Sequence, residues 1–353
     1  MNNLYLFYPT GHEAHFEHGH PERPERVEII KSTLDSAGWW EPFPKLKPVL
    51  LSLDFLKTIH KSAYLDWLSD FCQRGEYIDG DTYTTPASWE LALNAAGGAV
   101  AVAQGVWKAN DYAMTEPAWR GFALTRPPGH HATRAIGMGF CLLNNIAIAA
   151  EYLLTSPLGD SPKARRLAII DLDLHHGNGT QDIFWRRDDV LFISIHQSPL
   201  YPGTGSLEET GAGEGEGFTA NLPFPPGTGD VGYQAAMEQV ILPLLDRTHP
   251  EMLLVSFGFD PHWRDPLGYL MLSADGYGRL IKSLVDWADF HCNGRIALFL
   301  EGGYDTQAAS ACALAVTAAL LGEPIPDALG PSPRPEGKSW QAVIAGARRI
   351  WQL

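Results

Sequence analysis

The sequence predicts an α/β fold in which a mostly parallel sheet is covered by helices on both faces. Short apolar runs alternate with longer helical patterns along the chain. Such alternation makes neighbouring strands parallel, because each helix returns the chain to the same end of the sheet. Residues 1–353 contain no Ser- and Gly-rich linker, repeat or low-complexity tract, so we expect a single domain.

Six apolar runs have the length and composition of buried strands. In chain order they are Leu4–Tyr8, Gly121–Thr125, Leu167–Asp171, Leu191–His196, Met252–Phe257 and Ile296–Leu300. Helical patterns are predicted at Arg26–Ala37, Tyr64–Gln73, Ser88–Lys108, Leu142–Leu154, Tyr233–Leu245 and Ala274–Phe290, with further helices after Asp305 and near Ser339. Segments rich in Pro and Gly are predicted to be loops, at Pro42–Pro48, Pro199–Gly217 and Pro223–Gly229.

Charge and cysteine usage restrict the class of protein. The chain has 26 Lys and Arg residues against 41 Asp and Glu residues, a formal charge of −15. This excess argues against nucleic acid and anionic membranes as partners, and it is compatible with cationic substrates. No apolar run reaches membrane-spanning length, and the start of the chain lacks the basic segment of a signal peptide. We therefore expect a cytoplasmic protein whose scattered cysteines are reduced thiols, at Cys72, Cys141, Cys292 and Cys312.

The most informative stretch, Asp171 to Gln181, directly follows a predicted strand. Side chains two residues apart on an extended chain face the same way, so Asp171, Asp173 and His175 can converge. Carboxylate oxygen and imidazole nitrogen suit a divalent transition metal such as zinc, and iron also fits such ligands. The alternative is a hydrogen-bonded polar cluster without an ion, but two carboxylates and an imidazole are costly to hold together without a cation.

Three further polar clusters also follow predicted strands. His130 and His131 come after Arg126-Pro-Pro-Gly, Asp260 ends a run beginning at Ser256, and Tyr304 follows Glu301-Gly-Gly. Taken singly, an Asp before Pro is usually a turn residue, and a lone His or Tyr is as often structural. Because ligands of open α/β sheets bind at the carboxyl ends of the strands, the four clusters together predict one site.

These residue types point to metal-assisted hydrolysis of an amide. A catalytic zinc ion has three protein ligands, lowers the pKa of a water molecule and polarises a carbonyl group. A histidine can accept the proton of that water, and a tyrosine hydroxyl can stabilise the oxyanion. The chemistry alone does not identify the acyl group.

The four motifs together resemble those of the zinc-dependent histone deacetylase and acetylpolyamine amidohydrolase family, over a span from Leu4 to Leu321. The Pro-Pro-Gly-His-His sequence, with Asn178 after the metal motif, is most similar to the class II branch and its bacterial histone deacetylase-like amidohydrolases. The family fold would be a three-layer α/β/α sandwich, as in arginases, on a mostly parallel eight-stranded sheet. Four shorter segments also match: His20–Arg26, Gly137–Asn145, Tyr201–Gly205 and Asp265–Gly268.

The resemblance implies roles for individual residues. Asp173, His175 and Asp260 would bind one Zn²⁺ ion per chain, His131 would be the general base, and Tyr304 would bind the acyl oxygen. Asp171 would orient His130, and Asn178 would be the partner of His131. Because Asn178 is neutral where class I enzymes have Asp, we expect His131 to be mostly neutral near pH 7. The acyl-lysine channel would be formed by Gly139, Phe140, Tyr201 and Leu267, with Asp81 at the rim.

The resemblance also implies structural potassium. One K⁺ site would be formed by Asp171, Asp173, His175, Ser194 and Ile195, and a second by backbone oxygens near Phe184, Val190 and Phe218.

Several alternatives stay open at this point. An acetylpolyamine deacetylase has the same fold, and the substrate would then be an acylated amine rather than an acylated lysine. A dimanganese ureohydrolase of the arginase type needs a second set of metal ligands, which is incomplete around Asp260-Pro-His262. A non-catalytic acetyl-lysine-binding protein would not need Tyr304 and the His pair. The sequence leaves open the oligomeric state, a homo-oligomer included, and the role of four histidines near the start, at His12, His15, His18 and His20.

Overall fold

The fold is organised around one parallel sheet. The computed structural model describes residues 3–111 and 117–353. In that part of the chain the sheet has seven strands in the order β1-β2-β7-β6-β3-β4-β5, and every neighbouring pair is parallel. The strands are β1 (Asn3–Phe7), β2 (Trp119–Ala123), β3 (Leu167–Asp171), β4 (Val190–Gln197), β5 (Thr219–Phe224), β6 (Leu253–Phe257) and β7 (Ile296–Leu300).

The predicted α/β fold with helices on both faces is confirmed, and the count of eight strands is corrected to seven for the described residues. Thr219–Phe224 lacks the apolar pattern of a predicted strand, and Pro223 falls in a segment predicted to be a loop, yet these residues form β5. Pro223 pairs with His196 of β4 at the edge of the sheet. A proline is tolerated there because its missing N–H would face away from the neighbouring strand.

Most predicted helices are present within one to three residues of their expected ends. The predicted helix Tyr233–Leu245 is part of a longer unit in which a π-helical turn, Met237–Ile241, joins two α-helices. Two short helices were not predicted, Leu53–Leu56 and Asn178–Phe184. The helices are α1 (Glu25–Ser36), α2 (Leu53–Leu56), α3 (Ser62–Cys72), α4 (Ser88–Ala109), α5 (Asn145–Thr155), α6 (Asn178–Phe184), α7 (Asp230–Ala236), α8 (Leu242–Thr248), α9 (Ala274–His291), α10 (Thr306–Leu321) and α11 (Trp340–Trp351).

The sheet separates two apolar cores. Alternate residues of β3 contribute to each of them: Ala168 and Ile170 pack with α1, α7 to α11 and their neighbours, whereas Leu167 and Ile169 pack with α3, α4 and α5. Helix α4, which the sequence marked as close-packed, approaches β1 so tightly that a Cβ atom at Gly98 would collide with the Phe7 ring. Burial on both faces explains why the strands are continuous apolar runs rather than alternating ones.

No helix in the described ranges combines the length and the apolar character that crossing a bilayer requires.

The order of the strands positions the polar clusters. Strands β2, β7, β6 and β3 are consecutive neighbours in the sheet. The polar residues that the sequence singled out follow the carboxyl ends of these four strands. Because parallel strands end at the same edge, the fold brings clusters far apart in sequence to one location.

Candidate metal and catalytic site

Asp173, His175 and Asp260 form a compact group of metal-ligand side chains. One ligand atom from each lies within 4.8 Å of the others, and both carboxylates are buried. His175 Nδ1 is 3.2 Å from Asp173 Oδ1 and 3.2 Å from Asp260 Oδ2. Backbone amides hold the carboxylates: Gly302 donates to Asp173 Oδ2 at 2.8 Å, and Leu174 donates to Asp260 Oδ1 at 3.2 Å.

This group has the properties of a cation site. Burial by itself lowers the pKa of His175, but the hydrogen bonds and charges of Asp173 and Asp260 raise it to about 9. Burial and the charge of Asp173 raise the pKa of Asp260 to about 6. Asp260 Oδ2 is buried, and apart from its ionic contact with His175 Nδ1 it has no hydrogen-bond partner among the described residues. The residues therefore fit a divalent cation, which would satisfy this oxygen and neutralise the paired carboxylates.

The two adjacent histidines are buried and have different partners. His130 Nδ1 is 2.9 Å from Asp171 Oδ2, and His131 Nδ1 is 2.7 Å from Asn178 Oδ1. Since carboxylate and amide oxygens only accept, both imidazoles donate from Nδ1. The ring of His131 lies beside that of His175, with centroids 5.8 Å apart.

The partners separate the pKa values of the pair. Burial lowers the pKa of His130, but the charges of Asp171 and Asp173 outweigh it and raise the value to about 10. Burial and the positive charges of His130 and His175 hold the pKa of His131 well below its usual range. His130 is thus an imidazolium, while His131 is neutral with a lone pair on Nε2, the form that a general base requires.

Tyr304 follows β7 and faces the same cavity. Its ring meets the edge of the Phe140 ring at a centroid distance of 5.9 Å, and the Arg26 guanidinium lies 4.8 Å from its centroid. Burial raises the pKa of Tyr304 well above its usual value, against the opposing effect of Arg26. The phenol is therefore protonated near neutral pH and can donate a hydrogen bond.

His130, His131, His175 and Tyr304 line a cavity of about 450 Å³. Phe140, Tyr201 and Leu267 contribute apolar surface, and Asp81 lies at the exposed end. Phe140 has φ of 68°, a left-handed conformation that is unusual for a non-glycine residue, and its N–H donates to Thr82 Oγ1 at 3.1 Å.

Gly139 is needed at this cavity wall. Its φ is 55°, and a Cβ atom there would collide with the His131 ring and lie 3.0 Å from the Tyr201 ring. A side chain would therefore be strained and would also displace His131.

Three of the residues expected at the first potassium site, Asp171 at the end of β3 and Ser194 and Ile195 within β4, are close in the sheet. Asp171 pairs with Ser194 in the sheet register, and Ile195 is the next residue of β4. Asp171 Oδ1 accepts the Asp173 N–H at 3.1 Å, while Ser194 Oγ is 2.9 Å from His196 Nδ1.

The residues expected at the second potassium site lie at the ends of three elements. Phe184 ends α6 and Val190 begins β4. Phe218 immediately precedes β5, and its carbonyl oxygen accepts the Phe192 N–H at 2.8 Å.

A buried ionic network behind the cavity has no counterpart in the sequence-based assignments. Glu22 accepts from Arg126, at 2.7 Å to Nε and 3.0 Å to a terminal nitrogen, and from Arg26 at 3.1 Å. Arg26 also donates to the carbonyl oxygens of Gly303, at 2.7 Å, and Glu301. Glu22 and Arg26 lie in the matched segment His20–Arg26. The charged residues and prolines of this segment are the sequence feature that could have indicated the network.

Glu301 fixes the start of the histidine pair. Its Oε2 accepts the backbone N–H groups of Gly129 at 2.6 Å and His130 at 3.1 Å. The residue is fully buried and precedes the two glycines before Tyr304, so it links the ends of β2 and β7.

The histidines near the start of the chain do not form one cluster. His20 lines the cavity, with Nε2 2.9 Å from the carbonyl oxygen of Asp81. His15 is buried and bonds to Ser88 Oγ at 2.7 Å, His12 is buried beside Tyr8, and His18 is exposed.

The chain is similar in sequence and structure to proteins of one family. A sequence model of the histone deacetylase domain matches residues 20–320. A probable deacetylase of Archaeoglobus fulgidus is 42% identical over 304 residues, which cover 84% of this chain and 81% of the relative. A histone deacetylase-like amidohydrolase of Pseudomonas aeruginosa is 37% identical over 310 residues, which cover 86% and 77%. The crystal structure of the HDA15 HD domain is similar with a TM-score of 0.86 at 33% identity, covering 99% of this chain and 94% of that one.

Proposed function

The chain belongs to the histone deacetylase family, and we propose that it is a zinc-dependent amidohydrolase that removes acetyl or other short acyl groups from acyl-lysine-like substrates. One observation supports this most directly. A single cavity is lined by His175 from the metal-ligand group, by the neutral His131 and by the protonated Tyr304. A metal ligand, a base and a hydrogen-bond donor are the three functions that hydrolysis of an amide requires.

Asp173, His175 and Asp260 would hold the metal. Two carboxylates and one imidazole form a donor set that zinc accepts with an open coordination position. When bound, the ion supplies Lewis acidity toward a carbonyl oxygen and acidifies water. The backbone N–H groups of Gly302 and Leu174 orient the two carboxylates, so the site is fixed before a substrate enters.

His131 would accept the proton of the attacking water at Nε2. Its Nδ1–H is already committed to Asn178, which leaves the Nε2 lone pair as the only basic position of the ring. The same Nε2–H would then protonate the departing amine. His130, held as a cation by Asp171, disfavours a second positive charge on His131 and so helps it to release the proton.

Tyr304 would donate a hydrogen bond from its phenolic O–H to the acyl oxygen of the substrate and then to the oxyanion that forms from it. Phe140 and Tyr201 would enclose the methylene groups of the lysine side chain, with Gly139 leaving room between them and Leu267 at the mouth. The rim carboxylate of Asp81 is exposed and would accept hydrogen bonds from the substrate backbone.

We also propose structural potassium near the site. The Asp171 carboxylate, Ser194 hydroxyl and backbone oxygens of Asp173, His175 and Ile195 are the hard oxygen donors that such an ion needs. A second ion would use backbone oxygens of Phe184, Val190 and Phe218. A cytoplasmic location and a single domain remain predictions from the sequence.

The alternative substrate is an acetylated polyamine. Leu267 lines the cavity and cannot form an ion pair with a secondary ammonium group, whereas desolvating such a cation without a partner is penalised. Asp81 is the carboxylate at the cavity that could serve instead, and the net charge of −15 would attract polycations generally. We therefore propose a preference for acyl-lysine substrates.

The test is release of acetate from an acetyl-lysine peptide by the full chain, before and after metal chelation. We expect turnover that is lost on chelation and restored by Zn²⁺. If metal-loaded protein turns over no acylated amine, the result would contradict an amidohydrolase and favour a binding protein.

A second experiment tests the substrate preference. The value of kcat/KM is compared between the peptide and acetylspermidine, in the wild type and in Leu267→Glu. A wild-type preference for the polyamine of tenfold or more, about 1.4 kcal/mol, would establish the alternative.

A further inference from the structure

Asp265 lies behind the cavity, where two wall segments meet. It is 5% exposed and starts the matched segment Asp265–Gly268, which carries Leu267. Its carboxylate does not belong to the metal-ligand group, and it does not line the cavity.

The two carboxylate oxygens of Asp265 accept three backbone hydrogen bonds. Oδ1 accepts the N–H of Leu267 at 3.0 Å, within its own segment. Oδ2 accepts the N–H groups of Tyr304 at 2.7 Å and Asp305 at 3.1 Å, which lie 39 and 40 residues further along the chain. One buried side chain therefore joins the segment of the phenol to the segment of the cavity mouth.

The position of Tyr304 depends on such an attachment. The preceding Gly303 has φ of 108°, which only glycine adopts readily, and its carbonyl oxygen is held by Arg26. After Tyr304 the chain enters α10, whose first turn is capped by the Asp305 side chain. The amide of Tyr304 is held by Asp265, and its ring meets the Phe140 ring edge to face.

We propose that Asp265 is a positioning residue: it sets the hydroxyl of Tyr304 relative to the metal-ligand group by fixing the Tyr304 and Asp305 amides. The inference rests on the proposed function for its catalytic consequence. A displacement near 1 Å in such a group can reduce turnover by roughly 100-fold.

The test variant is Asp265→Asn, which keeps the shape and replaces one acceptor oxygen with an NH₂ group that must face a backbone N–H. We expect kcat to fall about 10- to 100-fold, with a smaller change in KM. The matched control is Asp230→Asn. Asp230 also accepts a backbone N–H, that of Ser273 at 2.8 Å, but it lies outside the cavity. The Asp230→Asn variant should lower the stability of the fold and leave kcat unchanged.

A double-mutant cycle separates positioning from a general structural effect. If Asp265 acts through the Tyr304 hydroxyl, Asp265→Asn in a Tyr304→Phe background lowers kcat by less than about threefold. Independent effects, in which the two losses multiply, would overturn the proposal. So would a single variant Asp265→Asn with wild-type kcat.

Hydrogen exchange of the wild type supplies a readout that needs neither turnover nor a folded variant. The amides of Tyr304 and Asp305 should be protected, and Asp265→Asn, where it folds, should expose them. Exchange of both wild-type amides at the rate of a free peptide would overturn the proposal. Protected amides in a wild type that hydrolyses no acylated amine would instead contradict the proposed function and leave the anchoring role of Asp265 supported.

Discussion

The imidazole of His131 donates a hydrogen bond from Nδ1 to Oδ1 of Asn178, 2.7 Å away. Its neighbour His130 makes the same kind of bond to a carboxylate, that of Asp171. Burial and the positive charges of His130 and His175 lower the pKa of His131, whose hydrogen-bond partner is neutral, whereas the charges of Asp171 and Asp173 outweigh burial and raise the pKa of His130. Two adjacent histidines thus have different protonation states because their hydrogen-bond partners and neighbouring charges differ.

Replacing the neutral partner with a carboxylate should change the pH dependence. In Asn178→Asp the added negative charge raises the pKa of His131, so protonation inactivates the base at higher pH. We expect the acidic limb of the kcat/KM profile to move upward by roughly one pH unit or more. Gln239→Glu adds the same charge at an exposed position that does not line the cavity and should leave the limb in place. A limb that is unchanged or moves downward would exclude His131 as the titrating base.

The two histidines should differ in importance. His131→Ala removes the proton acceptor and should reduce kcat by roughly 100- to 10,000-fold. His130→Ala should cost less, because His130 acts through the charge and orientation that it gives its neighbour. Metal content, measured by elemental analysis, should stay at the wild-type level in both. Equal and mild losses in the two variants would show that the assignment is wrong.

Tyr304→Phe should bind substrate and hydroxamate chelators while losing turnover. Removing one hydrogen-bond donor to an oxyanion reduces kcat by roughly 100- to 1,000-fold. The matched control is Tyr5→Phe, since Tyr5 stacks on Trp119 at the first strand, away from the cavity. Stopped assays for acetate release, together with inhibitor affinity, separate the two effects. A near wild-type rate for Tyr304→Phe would mean that the phenol does not contact the reacting oxygen.

Asp260→Ala should abolish both metal retention and activity. The change removes one of two carboxylates from the metal-ligand group and leaves a site with two ligands. Elemental analysis of purified protein should give about one divalent ion per wild-type chain and much less in the variant. Asp286→Ala, which removes an exposed partner of Lys282, serves as the control for loss of a carboxylate. Full occupancy in Asp260→Ala would place the ion elsewhere.

Glu22→Gln should destabilise the fold through the two arginines that it leaves unpaired. Burial raises the pKa of Glu22, but the charges of Arg126 and Arg26 outweigh it and lower the value from 4.5 to about 2. The ionised carboxylate thus contributes about 3 kcal/mol to the free energy of unfolding. This contribution is fully present above pH 4.5 and is lost as the pH falls toward 2. Denaturant unfolding should therefore show a large difference from the wild type at pH 7 and a smaller one near pH 3. A difference that does not change with pH would contradict this assignment.

The candidate ligand and catalytic residues could be proposed from the sequence because each follows an apolar run directly. Asp171 is the last residue of β3, His130, Asp260 and Tyr304 follow β2, β6 and β7, and the structure brings all four regions to one edge of the sheet. The edge strand β5 was missed, since Pro223 is a signal against a strand unless the strand is known to lie at an edge.

The sequence by itself determined the alternation of strands and helices and the polar residues at the strand ends, because periodicity and turn chemistry act over a few neighbouring residues. Only the tertiary structure decided the order of the strands, the pairing of Glu22 with Arg126 across 104 positions and the attachment of Tyr304 to Asp265. Local patterns do not encode these contacts. The Glu22–Arg126 and Asp265–Tyr304 contacts each join a buried charge to a group far away in the chain. The partner is determined by the packed arrangement that leaves neither buried charge without a partner.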